Sequence, residues 1–286
     1  MKKMILLFTL ILAGCSATKN DQVDVFYSPH PDDEVLSLGP AIIHALSSSK
    51  EVHVVLLSKG KASKAINTVN EQLELEGQPP ISVDEFGDAR ATEFKTAVSV
   101  LGVKASNVTI LDLPDGKLNK DDISNIILHK DKLDDKVIHH VMSDKDPHSD
   151  HSVTGQALQD LIDEEIVHNG KFYFPVQEHE NFPFDNKIKL INKDQKSRMK
   201  DALEAYEKWD PASGSYSIGK ISVPDYFISA KKQYGKPVPL HTNKKTGWKT
   251  IVFHPFFSMI TFSAKISWVK VTIGHFINCH ANIRSS

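Results

Sequence analysis

Val23-Asp24-Val25-Phe26-Tyr27-Ser28-Pro29-His30-Pro31-Asp32-Asp33-Glu34 passes without a break from an alternating, β-rich run into a dense polar cluster. Val23 to Ser28 reads as a strand. Downstream, Glu34 to Ser47 has apolar residues at helical spacing (Leu36, Leu38, Ile42, Ile43, Leu46). Glu51 to Ser58 is apolar nearly throughout, as suits a strand buried on both faces. The alternation continues with a helix over Ala89 to Leu101, a strand over Val108 to Leu113 and a helix over Asp121 to His129. A strand over Lys136 to Val141, a helix over Ser152 to His168 and a short strand over Lys171 to Pro175 complete it. This order predicts an α/β fold with a mostly parallel sheet and helices on both faces. The long charged stretch from Lys59 to Asp88, punctuated by Gly77, Pro79 and Pro80, is expected to be a lid or substrate-facing loop.

The chain has 286 residues, 40% hydrophobic and 24% charged, with 14 Gly and 14 Pro, which excludes collagen-like, coiled-coil and wholly disordered classes. A net charge of −2 gives no support to nucleic-acid binding. The cysteines are Cys15 and Cys279. Lys2 and Lys3 precede an apolar run from Met4 to Ala13, the pattern of a secretory signal and too short to span a bilayer. Leu12-Ala13-Gly14-Cys15 resembles the lipobox of bacterial lipoproteins. That implies removal of residues 1–14, lipidation of Cys15 and attachment to a membrane of the cell envelope, with 15–22 as a tether. The attachment would be to the outer membrane in a Gram-negative cell and to the outer face of the plasma membrane in a Gram-positive one. Residues 23–225 are expected to form the main domain. Residues 226–286, with nine Lys or Arg and no Asp or Glu, read as a basic, partly apolar extension, either a cap or a divergent tail.

Two polar clusters follow predicted strands, where open α/β sheets bind ligands. In the first, His30 and Asp33 are three residues apart and share a face if the segment turns helical. An imidazole and a carboxylate there suit Zn²⁺, and Asp32 is left free to accept a proton. A helix start explains an Asp or two, but not the His-Pro before them. In the second cluster, Asp146-Pro147-His148-Ser149-Asp150-His151, two histidines can supply one metal ligand and one acid–base group. Together the clusters offer three ligands and an open position, the pattern of catalytic zinc.

Ser28-Pro29-His30-Pro31-Asp32-Asp33-Glu34 and His148-x-Asp150-His151 resemble the paired motifs of the PIG-L/LmbE-like de-N-acetylases. Arg90-x-x-Glu93 and Leu111-x-Leu113-Pro114-Asp115-Gly116 lie between them in the family's order. The resemblance implies a Rossmann-like fold and zinc-dependent hydrolysis of an N-acetyl group on an N-acetylglucosamine-type substrate. It assigns His30, Asp33 and His151 to the metal, Asp32 as general base, and His148 to stabilise or protonate the tetrahedral intermediate. Asp150 would orient a histidine from outside the ligand shell. Arg90 and Asp115 would contact substrate, although Arg90 could instead pair with Glu93, and Asp115 could belong to a Pro-Asp-Gly turn. Another divalent ion suits the same ligands.

The chain departs from the family at two places. The stretch Asp144 to Pro147 lacks a tyrosine often found before the second histidine pair. The helix with Ala202, Leu203 and Tyr206 continues into Glu207-Lys208 rather than Ser-Gln. Competing functions are a different amidase or deacylase on the same fold, and a lipoprotein that binds zinc or carbohydrate without turnover. Asp32 and His148, which binding alone does not require, argue against the latter.

Overall fold

The strand over Val23 to Ser28 becomes an interior strand of a seven-stranded sheet in the computed structural model, which describes residues 20–179, 181, 186–233 and 238–242. The chain begins with β1 (Asn20–Ser28), α1 (Asp33–Leu36), α2 (Gly39–Ser48) and β2 (Ser49–Leu56), then α3 (Ala65–Leu75), α4 (Val83–Leu101) and β3 (Val108–Ile110). It continues through α5 (Lys120–Asp131), β4 (Val137–Met142), α6 (Ser149–Asp163), β5 (Gly170–Tyr173), β6 (Asn186–Ile188) and α7 (Lys193–Glu204). A hairpin of β7 (Trp209–Asp210) and β8 (Ser215–Tyr216) precedes α8 (Ile218–Ser222), α9 (Pro224–Gln233) and β9 (Val238–Thr242).

The sheet order is β3-β2-β1-β4-β5-β9-β6. The first five strands are parallel, and β9 pairs antiparallel with both β5 and β6. Period-two alternation explains the two-sided burial. Phe26, Val54 and Leu56 face α2, α4 and α7, where Ile42, Phe94 and Leu203 are fully buried. Val25, Tyr27 and Val55 face α5 and α6, against Ile123, Ile127 and Leu158. Each such side chain contributes about 1.5–3 kcal/mol of hydrophobic stabilisation.

His139 and His140, adjacent on β4, are both buried and hydrogen-bonded. His140 Nε2 lies 2.5 Å from Asp24 Oδ1, and its Nδ1 lies 2.8 Å from the Tyr173 hydroxyl. A neutral ring donating from Nε2 to the Asp24 carboxylate and accepting from Tyr173 satisfies all three groups. Burial pushes the His140 pKa down to about 4, against the pull of Asp24.

Four expectations are corrected. The segment from Lys59 to Asp88 is not one long loop. Ala65, Val69 and Leu73 recur every fourth residue and bury one face of α3. The helix expected from Ala89 starts at Val83, because Ser82 and Glu85 form a reciprocal capping box. The helix expected over Glu34 to Ser47 is divided, with Gly39-Pro40 starting α2 as a separate helix. At the other end, the boundary drawn after residue 225 falls inside α9, and β9 extends the sheet beyond it. The signal segment, Cys15, and the apolar runs beyond residue 250 lie outside the described residues.

Candidate active site

The strand order reverses at β1, which has β2 on one side and β4 on the other. Their carboxyl ends therefore border the crevice where ligands gather in such sheets. His30, Asp32 and Asp33 leave the end of β1, while Asp146, His148, Asp150 and His151 follow β4. Gly155 lets α6 close on that end: a Cβ there would lie 2.2 Å from Asp144 N and 2.6 Å from Met142 O. The first turn of α6, with His151, is thus set against the turn after β1.

Asp33 Oδ2 lies 3.4 Å from His30 Nδ1 and 3.2 Å from His151 Nε2. Two donors on a tetrahedral zinc at about 2.0–2.1 Å are separated by about 3.3 Å. The outer ring nitrogens face carboxylates: His30 Nε2 lies 3.1 Å from Asp150 and 3.2 Å from Asp115, and His151 Nδ1 lies 3.2 Å from Asp146. This arrangement fixes metal-binding imidazoles in other proteins. Other donor groups are present. Ring nitrogens of His30, His148 and His151 lie within 4.8 Å of one another, as do donors of His30, Asp115 and Asp150. In those groups the donors are already engaged, as is Asp33 Oδ2, which accepts the His30 backbone N–H at 3.0 Å. Asp150 accepts the Gly116 and Leu118 N–H groups, Asp115 accepts that of Ala62, and His148 Nδ1 accepts that of Asp150. In the set of His30, Asp33 and His151, Asp33 Oδ2 is the atom that approaches both imidazoles.

The electrostatics also favour positive charge at this point. Burial disfavours charge on His30, but Asp115, Asp150 and Asp33 outweigh it and raise the ring's pKa well above the ordinary histidine value. His151 is pushed up to about 9, burial being overcome by Asp33 and Asp146. Burial raises Asp33 as well, yet the two imidazoles win and hold it far below the usual carboxylate range. Asp32 is pushed up to about 7 by burial, against Arg90 and with Asp33. Burial, with His151 and His30 nearby, lowers His148. Because Nδ1 of His148 accepts a backbone N–H, the neutral ring carries its proton on Nε2.

Asp32 and Arg90 meet at 3.2 Å, both almost fully buried. Arg90 also donates to Gly60 O at 3.0 Å and to Pro31 O at 2.8 Å. Gly60 adopts φ +68°, and a Cβ there would strike the guanidinium at 2.3 Å. The alternative pairing of Arg90 with Glu93 does not form; Glu93 accepts the Ile218 and Gly219 N–H groups instead. Asp115 sits in a turn before Gly116, as its Pro-Asp-Gly sequence suggests, and also faces the cavity.

A cavity of about 330 Å³ opens over these groups, lined by His30, Asp32, Asp33, Arg90, Asp115, His148 and His151. Gln177, Ser222 and Tyr226 also line it. Sequence reasoning missed these three, since no local pattern marks them and only the folding of α8 and α9 brings two of them there. It also left Asp146 without a role, although its place in the second cluster was a usable signal.

The family model described as PIG-L: GlcNAc-PI de-N-acetylase matches residues 25–162. The 1D-myo-inositol 2-acetamido-2-deoxy-alpha-D-glucopyranoside deacetylase of Mycolicibacterium smegmatis is 34% identical over 80 residues, 28% of this chain and 26% of that enzyme. The match thus spans about a quarter of the relative's length. The N,N'-diacetylchitobiose deacetylase of Pyrococcus horikoshii shares the fold with a TM-score of 0.51 at 18% identity, covering 81% of this chain and 89% of that one. The 4-carboxy-2-hydroxymuconate hydratase of Pseudomonas putida also has a TM-score of 0.51 at 18% identity, covering 78% and 96%. The fold alone therefore does not dictate the reaction. The match over residues 25–162 and the similarity to these relatives support a PIG-L/LmbE-like de-N-acetylase.

Proposed function

We propose that this protein hydrolyses the N-acetyl amide of an N-acetylglucosamine-type substrate, with a divalent metal, zinc by its donor set, held by His30, Asp33 and His151. The observation that carries the reading is the position of Asp33 Oδ2, at ligand–ligand distance from a ring nitrogen of each histidine. When bound, zinc supplies Lewis-acid polarisation of the amide carbonyl and acidifies water from a pKa of ~15.7 to about 7.

The remaining work falls to the chain's own side chains. Asp32 lines the cavity and takes a proton from the attacking water as the water oxygen bonds to the acetyl carbon. His148 offers its Nε2–H to the carbonyl oxygen as negative charge develops there. The proton on Asp32 passes to the amide nitrogen, the C–N bond breaks, and acetate and a free amine leave. Asp115 and Arg90 lie on the cavity wall. The carboxylate of Asp115, which keeps lone pairs beyond those facing the Ala62 N–H and His30 Nε2, is the better placed to meet a sugar hydroxyl, because the guanidinium of Arg90 is committed to protein groups.

Acetate release from a panel of N-acetylglucosamine derivatives by zinc-loaded protein tests the reading. Asp32→Asn is expected to keep its zinc and lose most turnover. Full activity in that variant rejects the base assignment, and no acetate from any derivative by the zinc-loaded wild type rejects the deacetylase.

The reading also places the enzyme at the cell envelope through a lipid on Cys15, supported by the apolar run ending in Leu12-Ala13-Gly14-Cys15. Fatty-acid labelling of the wild type, lost in Cys15→Ser, is the expected result; labelling retained in that variant removes the anchor.

A further inference from the structure

Asp32 has φ 114° and ψ −27°, a backbone conformation that a residue with a side chain rarely adopts. Such a turn persists only when its surroundings hold it. One restraint is Arg90, which donates to Pro31 O and to the Asp32 carboxylate. The other is Glu34, whose Oε2 accepts the Asp32 N–H at 3.0 Å. Glu34 is fully buried, and its Oε1 accepts the Tyr206 O–H at 2.5 Å. Tyr206 lies just beyond α7, also fully buried, with its ring 5.6 Å from that of Phe227 and pressed against Gly219. Neither Glu34 nor Tyr206 lines the cavity.

Packing alone does not call for a carboxyl and a phenol in this position. Apolar side chains of the same volume fill a core without the cost of desolvating polar groups. The two oxygens of Glu34 have definite tasks, one toward the Asp32 backbone and the other toward a hydroxyl from a distant part of the chain. We propose that Glu34 and Tyr206 are positioning residues. Tyr206 fixes Glu34, and Glu34 fixes the left-handed turn that aims the Asp32 carboxylate into the cavity. The inference rests on Asp32 being the base, as assigned above.

Tyr206→Phe removes one hydroxyl and leaves the ring packing intact. It is expected to lower kcat about 10- to 100-fold, the scale of a small misplacement of a reacting group. KM is expected to stay within about twofold and zinc content to stay at the wild-type level. Introduced into Asp32→Asn, the same change is expected to cost nothing further, because the group it positions is already disabled. Glu34→Gln keeps an oxygen for the Asp32 N–H and is expected to retain more turnover than Glu34→Leu. In a crystal structure of Tyr206→Phe, Asp32 is expected to leave its left-handed conformation. Wild-type kcat in Tyr206→Phe overturns the inference, as does an equal loss in both backgrounds, which marks a merely structural role. Should Asp32→Asn prove fully active, the base assignment fails separately. The Tyr206→Phe crystal structure still decides the clamp in that event, an unchanged Asp32 backbone overturning it.

Discussion

Asp33 Oδ2 stands 3.2 Å from His151 Nε2, joining the turn after β1 to the first turn of α6. Asp33→Ala removes the one atom shared by both histidines. Its zinc affinity is expected to fall by more than the about 10- to 100-fold typical of losing an outer-shell partner. Equilibrium dialysis against a metal buffer measures this, and near-wild-type zinc content in Asp33→Ala excludes the ligand set.

Asp150 holds the His30 ring from outside while accepting two backbone N–H groups from the turn at Gly116 to Leu118. Asp150→Asn keeps the shape and loses the charge. Zinc binding is expected to weaken about 10- to 100-fold without being abolished, read by competition with a chromophoric chelator.

His140 gives a stability signal independent of the reaction. Its pKa is about 4 in the fold and about 6.5 in an unfolded chain. Between those values the unfolded state binds the extra proton, so the contribution is complete above about pH 6.5 and declines as pH falls toward 4. Metal-free wild type is expected to lose Tm across this interval more steeply than His140→Asn. Parallel Tm–pH curves for the two proteins count against a buried neutral imidazole.

Leu73 is almost completely buried on α3, in the segment whose composition suggested a loop. Leu73→Ala is expected to cost about 2–5 kcal/mol in urea unfolding, as for a core residue. A change near zero restores the picture of a mobile lid.

The parallel sheet and the two polar clusters were legible because each rests on a local pattern. β1 and β2 are short apolar runs, His30, Asp32 and Asp33 follow β1 directly, and His148 and His151 lie where the loop after β4 enters α6. What escaped has a different physical origin. In α3 the buried residues are only Ala65, Val69 and Leu73, with charged and polar residues between them, so glycine and proline dominated the reading of that stretch. The pairing of Arg90 with Asp32 rather than Glu93 is decided by Ile218 and Gly219, whose backbone N–H groups claim Glu93 from more than a hundred residues away. Tyr226 reaches the cavity, and Tyr206 reaches Glu34, through tertiary contacts that no spacing rule encodes.

With His30, Asp33 and His151 as the proposed ligands, the reversal of strand order at β1 would make loading of the ion a late event in assembly. A nascent chain that has laid down β1, β2 and β3 owns His30 and Asp33 but lacks the imidazole delivered by α6. Such a partial structure gains little from free zinc, whereas the finished one gains its whole binding free energy. On that ligand set the cation would reward only molecules in which β4 has docked beside β1, and would act as a latch on the completed sheet.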